Sequence, residues 1–140
     1  MSVEIRGKES LDKRLQSLAD VEKYAEALKQ ATALVEGDAK RKAPKDTGAL
    51  RNSIASEVKE QNGETVGIVY TPLEYAPYIE YGTGLFATKG GRANVPWCYK
   101  DDDGHWHTTS GMKPQPFMHP ALNENRNKIL KLLKESIKND

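Results

Sequence analysis

The sequence predicts an α+β domain: an antiparallel β-sheet of hairpins packed by a long N-terminal helix and a C-terminal helix. Apolar residues recur every three or four positions from Leu11 to Val35 and again from Leu122 to Ile137, the period of helices with one buried face. Between them Asn62-Gly63 sits amid alternating apolar and polar residues, the strongest short signal for a hairpin. At 140 residues the chain suits a single domain, 1–140, able to bury a core without disulfides. A loop-and-hairpin insertion is expected at about 85–111.

Val3 and Ile5 alternate with polar neighbours, which predicts a short first strand ending at Gly7. From Ser10 the period changes. Leu11, Leu15, Leu18, Val21, Ala25, Leu28, Ala31 and Val35 form one stripe of a long helix, with Gly37 expected to loosen its last turns. Lys40, Arg41 and Lys42 suit the negative end of the helix dipole. Pro44 restricts Ala43 and stops the helix there. Asp46-Thr47-Gly48 carries the chemistry of a tight turn. Ile54 and Val58 then lead into the Asn62-Gly63 hairpin, which returns with Val66, Ile68 and Tyr70 on one face and Thr65, Gly67 and Val69 on the other.

Pro72 ends that hairpin. Tyr75, Tyr78 and Ile79 are helically spaced, and Gly82 and Gly84 would end a helix. The small, basic, glycine-rich stretch from Leu85 to Asn94 reads as a mobile loop. Its Lys89-Gly90-Gly91-Arg92 run is no phosphate cradle, because no strand leads into it and no helix start follows. A second hairpin is expected from Val95 to Thr109. A four-residue loop Asp101–Gly104 would pair Tyr99 with Trp106, Cys98 with His107 and Lys100 with His105, whereas a two-residue Asp103-Gly104 turn would shift that register; both stay open. Pro120 fits the first turn of a last helix, whose apolar side is Leu122, Ile129, Leu132, Leu133 and Ile137, with Lys131, Lys134 and Lys138 on the wetter side.

Function classes narrow in the same way. A formal net charge of +1 argues against a dedicated nucleic-acid binder, which needs a strongly basic face. A lone Cys98 rules out an internal disulfide and fits a reducing compartment. The first residues lack the apolar run of a signal peptide, and no stretch is long enough to span a bilayer. Cys98, His105, His107 and the Asp101–Asp103 run contain zinc-type ligands, but their spacing matches no structural zinc or calcium pattern. There is no nucleophile elbow and no oriented Cys–His pair. Glu74 and Glu80 suit ion pairing or capping better than catalysis. No enzyme is expected, and no cofactor. Three tyrosines within Tyr75–Tyr81 point to an interface, since tyrosine gives large, rigid contact area.

Three stretches taken in order resemble one family. They are Ala43-Pro44-x-Asp46-Thr47-Gly48-x-Leu50-Arg51 after the long helix, Tyr75-Ala76-x-x-Ile79-Glu80-Tyr81-Gly82-Thr83, and Pro116-Phe117-x-x-Pro120-Ala121-Leu122 before the last helix. The chain is similar, from its first helix to its end, to the tail-component or morphogenesis proteins of long-tailed phages and prophages typified by lambdoid phage HK97. The segment Leu85–Gly111 stands apart from that pattern. The resemblance implies a structural role at the head–tail junction, as a neck or tail-completion protein in the virion, assembled in the host cytoplasm. Its expected partners are itself, commonly as a ring, and neighbouring neck or tail proteins, without a membrane, specific nucleic-acid binding or a cofactor. It also implies that Asp46, Thr47 and Gly48 fix a turn anchored by Leu50. Tyr75, Glu80, Tyr81, Gly82 and Thr83 should shape the passage from sheet to loop, and Pro116, Phe117 and Pro120 the entry of the last helix, with Phe117 buried. Two other readings stay open: a nucleic-acid binder using the basic 40–51 segment and the loop around Arg92, and a metal-dependent hydrolase built on Cys98, His105 and His107.

Overall fold

The computed structural model describes residues 1–6, 18–45, 48–61, 63–89 and 96–136, with the side chains of 18–21 left aside. They form two compact units, 1–72 with 117–140, and 73–116.

The first unit is a three-stranded antiparallel sheet covered by helices. Strand β1 (Ser2–Arg6) and β2 (Ala55–Gln61) flank β3 (Glu64–Tyr70) in the order β1-β3-β2. The expected first strand and hairpin are both present. Gln61 pairs with Glu64, so a two-residue loop joins β2 to β3, and Gly63 takes φ +82°. Helix α1 (Leu18–Lys42) runs unbroken through Gly37, and Ala43 closes its last turn on Ala39. The expected helix residues 10–17 lie outside the described residues.

The side of the sheet that carries Val3, Ile5, Gly67 and Val69 is fixed by the register. A Cβ on Gly67 would collide with Thr32 Oγ1 and touch Leu28, so α1 rides directly on β3 and glycine makes room for it. The face of α1 that is buried comprises Tyr24, Ala27, Leu28, Ala31, Thr32, Val35 and Ala39. Ala25, expected in the stripe, is only half-buried. Tyr24 and Thr32 take the places next to it because the true stripe is rotated toward the glycine seat. On the other side, Val66 and Ile68 are buried too. There Arg6 stands opposite Val66 and donates to Glu4, Glu64 and Gln61 at 2.8, 3.3 and 3.0 Å, a polar lattice whose aliphatic stems shield apolar surface.

A short helix α2 (Ala49–Ser53) precedes β2. The C-terminal helix expected from Pro120 is two helices, and its start is earlier. Helix α4 (Met118–Glu124) and helix α5 (Arg126–Ser136) meet at Asn125, with helix α3 (Ala76–Tyr81) belonging to the second unit. The Asn125 amide donates to Ala121 O at 2.7 Å and to Asp38 Oδ2 at 3.0 Å. Side-chain bonding to the backbone competes with helix continuation, and the tie to α1 fixes the break. Phe117, Met118 and Ala121 are fully buried. Ile137 and Lys138 lie outside the described residues.

The second unit holds helix α3 (Ala76–Tyr81), a 3-10 turn (Gly84–Phe86) and a separate two-stranded ribbon of β4 (Trp97–Lys100) and β5 (Trp106–Thr109). The ribbon is not part of the three-stranded sheet, contrary to the expectation of one sheet from both hairpins. Neither expected register occurs. Tyr99 pairs with His107, Cys98 with Thr108 and Lys100 with Trp106. Gly104 N–H donates to Asp101 O at 3.0 Å and Asp101 N–H to His105 O at 2.8 Å, with Gly104 at φ +86°. This is a three-residue loop, a tight turn followed by a left-handed glycine.

Candidate assembly surface

The second unit is built from backbone lacing more than from a core. Tyr75 begins α3, Pro77 fits its first turn, and Gly82 ends it with φ +80° and a bond from its N–H to Tyr78 O. The chain then locks against residues 110–115. Thr83 N–H donates to Met112 O at 2.9 Å, Leu85 N–H to Ser110 O at 2.7 Å and Gln115 N–H to Ile79 O at 2.8 Å. Met112 N–H returns to Thr83 Oγ1 at 2.8 Å. A Cβ on Gly84 would strike the Ser110 carbonyl, and one on Gly82 would lie 2.8 Å from Met112 O. These glycines allow two backbones to touch. The stretch read as a mobile loop from Leu85 is therefore a 3-10 turn tied down as far as Thr88, whose N–H reaches Tyr81 O at 2.8 Å; residues 90–94 of that expectation lie outside the described residues.

Apolar side chains in this unit face outward. Among the described residues, six of the seven strongly exposed large hydrophobics (Tyr75, Tyr78, Leu85, Phe86, Tyr99 and Trp106) fall in 73–116, whereas the unit's buried apolar set there is Ala76 alone. Trp106 is 69% and Tyr78 59% exposed. An open groove of about 540 Å³ is lined by Tyr78, Tyr81, Trp97 and Lys89, with the Lys89 ammonium 5.4 Å from the Tyr81 ring. Exposed apolar patches of this kind mark interaction sites.

At the ribbon's tip Asp101 organises the loop. Its Oδ1 accepts the N–H groups of Asp103 and His105 at 3.0 and 2.8 Å, and Oδ2 meets His107 Nε2 at 2.6 Å. The His107 contact, then the His105 N–H, hold the Asp101 carboxyl below the usual aspartate range. Tyr99 stacks on His107 at 5.2 Å. The expected Cys98–His107 contact does not form. Cys98 Sγ lies 3.4 Å from Thr108 Oγ1, on the opposite side of the ribbon from His107, because neighbours along a strand alternate. Asp101, Asp103 and His105 do bring ligand atoms together within 4.8 Å, a grouping the loop's own hydrogen bonds account for.

The other sequence-predicted residues lie elsewhere. Gly48 takes φ +74° ahead of α2, Leu50 is buried and Arg51 Nε donates to Lys40 O at 3.0 Å. Pro44 is half-buried; Asp46 and Thr47 lie outside the described residues. The basic cluster is largely matched: Lys40 lies 3.6 Å from Glu36, Arg41 3.0 Å from Asp38 and Lys42 2.6 Å from Glu124. A surface made for phosphates would leave such cations free. Glu80 is 3% exposed and its partners lie within the protein, a brace and not an open carboxylate. Tyr81 and Pro120 are half-buried, Pro116 is exposed, Thr83 is spent on Met112 and Phe117 is fully buried. Sequence reasoning missed Leu85 and Phe86, whose signal was a pair of large apolar residues in an otherwise small, basic stretch.

Among the described residues no helix is long and apolar enough to cross a membrane. A family model described as "Bacteriophage HK97-gp10, putative tail-component" matches residues 9–82, over half of the chain, including the first motif and the second as far as Gly82. The third motif lies beyond the match. No curated protein and no solved structure matches the chain.

Proposed function

Because the chain belongs to the HK97-gp10-like family of bacteriophage tail components, we propose that it is a structural morphogenesis protein of the head–tail junction. It acts as a neck or tail-completion component, in the virion, by assembling with copies of itself and with neighbouring neck or tail proteins, and without catalysis. The observation that carries this reading is the crowding of exposed aromatic and apolar side chains onto 73–116, a unit whose described residues bury only one apolar side chain, Ala76. Such side chains lower free energy only against a partner. Within this reading the chain is one tail-component domain with a loop-hairpin insertion. Pro44, Gly48, Leu50, Arg51, Phe117 and Pro120 shape the supporting body; Tyr75, Glu80, Tyr81, Gly82, Thr83 and Pro116 shape the contact unit.

Deleting the gene from its phage or prophage tests the proposal. Electron microscopy of the lysate should show filled heads and tails that remain apart. Normal joining in the deletion strain overturns it.

A further inference from the structure

We propose that the tip of the β4–β5 ribbon is a site for one divalent transition-metal ion of the zinc kind, held by Asp101, Asp103 and His105 and braced by His107. The tip lies inside residues 96–116, which are described without a break. The site does not rest on the assembly function proposed above.

The unused lone pairs of the tip carry the argument. An ionised carboxylate has about four acceptor positions. On Asp101, Oδ1 uses two for the N–H groups of Asp103 and His105, and Oδ2 uses one for His107 Nε2. One position on Oδ2 is left. His105 Nδ1 stands 3.8 Å from that same oxygen. Zinc bonds of about 2.0–2.2 Å set two ligands of a tetrahedral ion roughly 3.4 Å apart, so this pair has only about 0.4 Å to close. Asp103 supplies the third ligand atom, and the three lie within 4.8 Å of one another. Its carboxylate makes no hydrogen bond or ion pair among the described residues. The loop's own hydrogen bonds assemble this group without an ion, so the ligands stand nearly in place before one arrives. His107 then does what outer partners of a metal ligand do: its N–H fixes the orientation of the Asp101 carboxylate.

Charge and ligand type select the ion. The tip carries Asp101, Asp102 and Asp103 against one ammonium, Lys100, whose Cε lies 3.6 Å from where a Cβ on Gly104 would be. Lys100 forms no ion pair among the described residues, and the contacts that Asp101 makes are to His107 and His105. With neutral imidazoles three carboxylates outweigh one cation, which favours a divalent ion over a monovalent one. An imidazole with two carboxylates, water completing the shell, suits zinc and its first-row neighbours. Calcium takes about six to eight oxygens, more than this turn supplies. Cys98 is no ligand, because it lies on the other side of the ribbon, 3.4 Å from Thr108 Oγ1.

Calorimetric titration of the full chain, purified without a histidine tag and stripped by chelator, tests the site with zinc chloride and, as a control, magnesium chloride. Wild type should take up one zinc ion per chain and bind magnesium at least about tenfold more weakly, a difference set by the imidazole. His105 has a side chain 76% exposed, so His105→Ala removes a ligand without touching the fold; it and Asp103→Asn should each weaken zinc by about tenfold or more, with unchanged circular dichroism. His107→Phe keeps a ring against Tyr99 and loses the donor, and should weaken zinc by about tenfold, the usual effect of losing an outer partner. Cys98→Ser and His119→Gln should bind as wild type does. No saturable uptake by folded wild type, equal affinity for magnesium, or wild-type affinity in His105→Ala overturns the site, as does loss of binding in Cys98→Ser or His119→Gln. Wild-type affinity in His107→Phe overturns the brace. None of these outcomes bears on head–tail joining in the deletion strain, so the two proposals fail separately.

Discussion

Residues 1–72 with 117–140 and residues 73–116 satisfy the same polymer by different means. The first unit buries Leu28, Val35, Val66, Phe117 and Met118 to 0% exposure. Among its described residues the second buries one apolar side chain, Ala76, and ties its backbone to itself through Thr83, Leu85 and Gln115. Burial is the dominant favourable term in folding, while hydrogen bonds exchanged with water contribute modestly each. Stability therefore resides in the first unit, and in the second the large side chains are left over for contact. Under the proposed assembly function this division is useful, because residues 73–116 could vary without loss of the fold.

The sharpest way to break the comparison is to truncate one aromatic in each unit. Phe117→Ala, at a fully buried site, should lower unfolding free energy by ~3–5 kcal/mol in urea titration. Trp106→Ala, 69% exposed, should change it by no more than ~0.5 kcal/mol while impairing head–tail joining in complementation. Equal destabilisation by the two would dissolve the division.

Next in size is the seat of α1 on the sheet. Gly67→Ala places a methyl group where Thr32 Oγ1 already lies, and Thr32 is itself 1% exposed with its hydroxyl donating to Leu28 O at 2.6 Å. Overpacking of this kind should cost ~1–3 kcal/mol, read as a lower urea midpoint with an unchanged slope. Thr32→Ala combined with Gly67→Ala should recover part of that loss; failure to recover it would show that the helix seats elsewhere.

These positions also show what the sequence could and could not convey. Val3 and Ile5, the Asn62-Gly63 turn and the Leu28–Ala31–Val35 stripe were legible because local period and turn chemistry determine them. Tyr24 and Thr32 were not, since only the glycine across in β3 selects which way α1 turns. The break at Asn125 depends on Asp38, 87 residues earlier, a contact no local pattern announces. The 97–109 register depended on whether Gly104 would take the left-handed region and add a residue to the turn. Motif residues such as Gly82, Thr83 and Phe117 were found from the resemblance. Leu85 and Phe86 were missed because exposure, unlike burial, leaves no period.

A smaller effect tests the turn before α2. Gly48 holds φ +74°, yet a Cβ there would meet only Asn52 Nδ2 at 3.7 Å. Space is available and the strain is confined to the backbone. Gly48→Val should therefore cost ~1–2 kcal/mol, the penalty of a left-handed side-chain residue, and leave the subunit folded. Gly48→Asn should cost less, because asparagine tolerates that region. An unchanged midpoint for the valine variant would refute the need for glycine.

The smallest expected effect is confined to the second unit and can be watched there alone. Both tryptophans, Trp97 and Trp106, lie in the ribbon, so tryptophan fluorescence reports the contact unit while far-ultraviolet circular dichroism reports mainly the helices of the first. Asp101 is held below its usual range by His107 and by the His105 N–H. A carboxylate with a depressed folded value contributes stability that is fully present above its unfolded pKa, about 3.9, and is lost as pH falls through the folded value. Acid titration from neutral pH should therefore change the fluorescence below about pH 4, as protonated Asp101 releases His107 and the loop, ahead of any change in the helical signal. Asp101→Asn should remove that step, since its amide cannot titrate, while His107→Gln should move it toward the ordinary aspartate range. If fluorescence and dichroism instead fall together in wild type and in Asp101→Asn alike, the ribbon draws its order from the rest of the protein and Asp101 does not hold it.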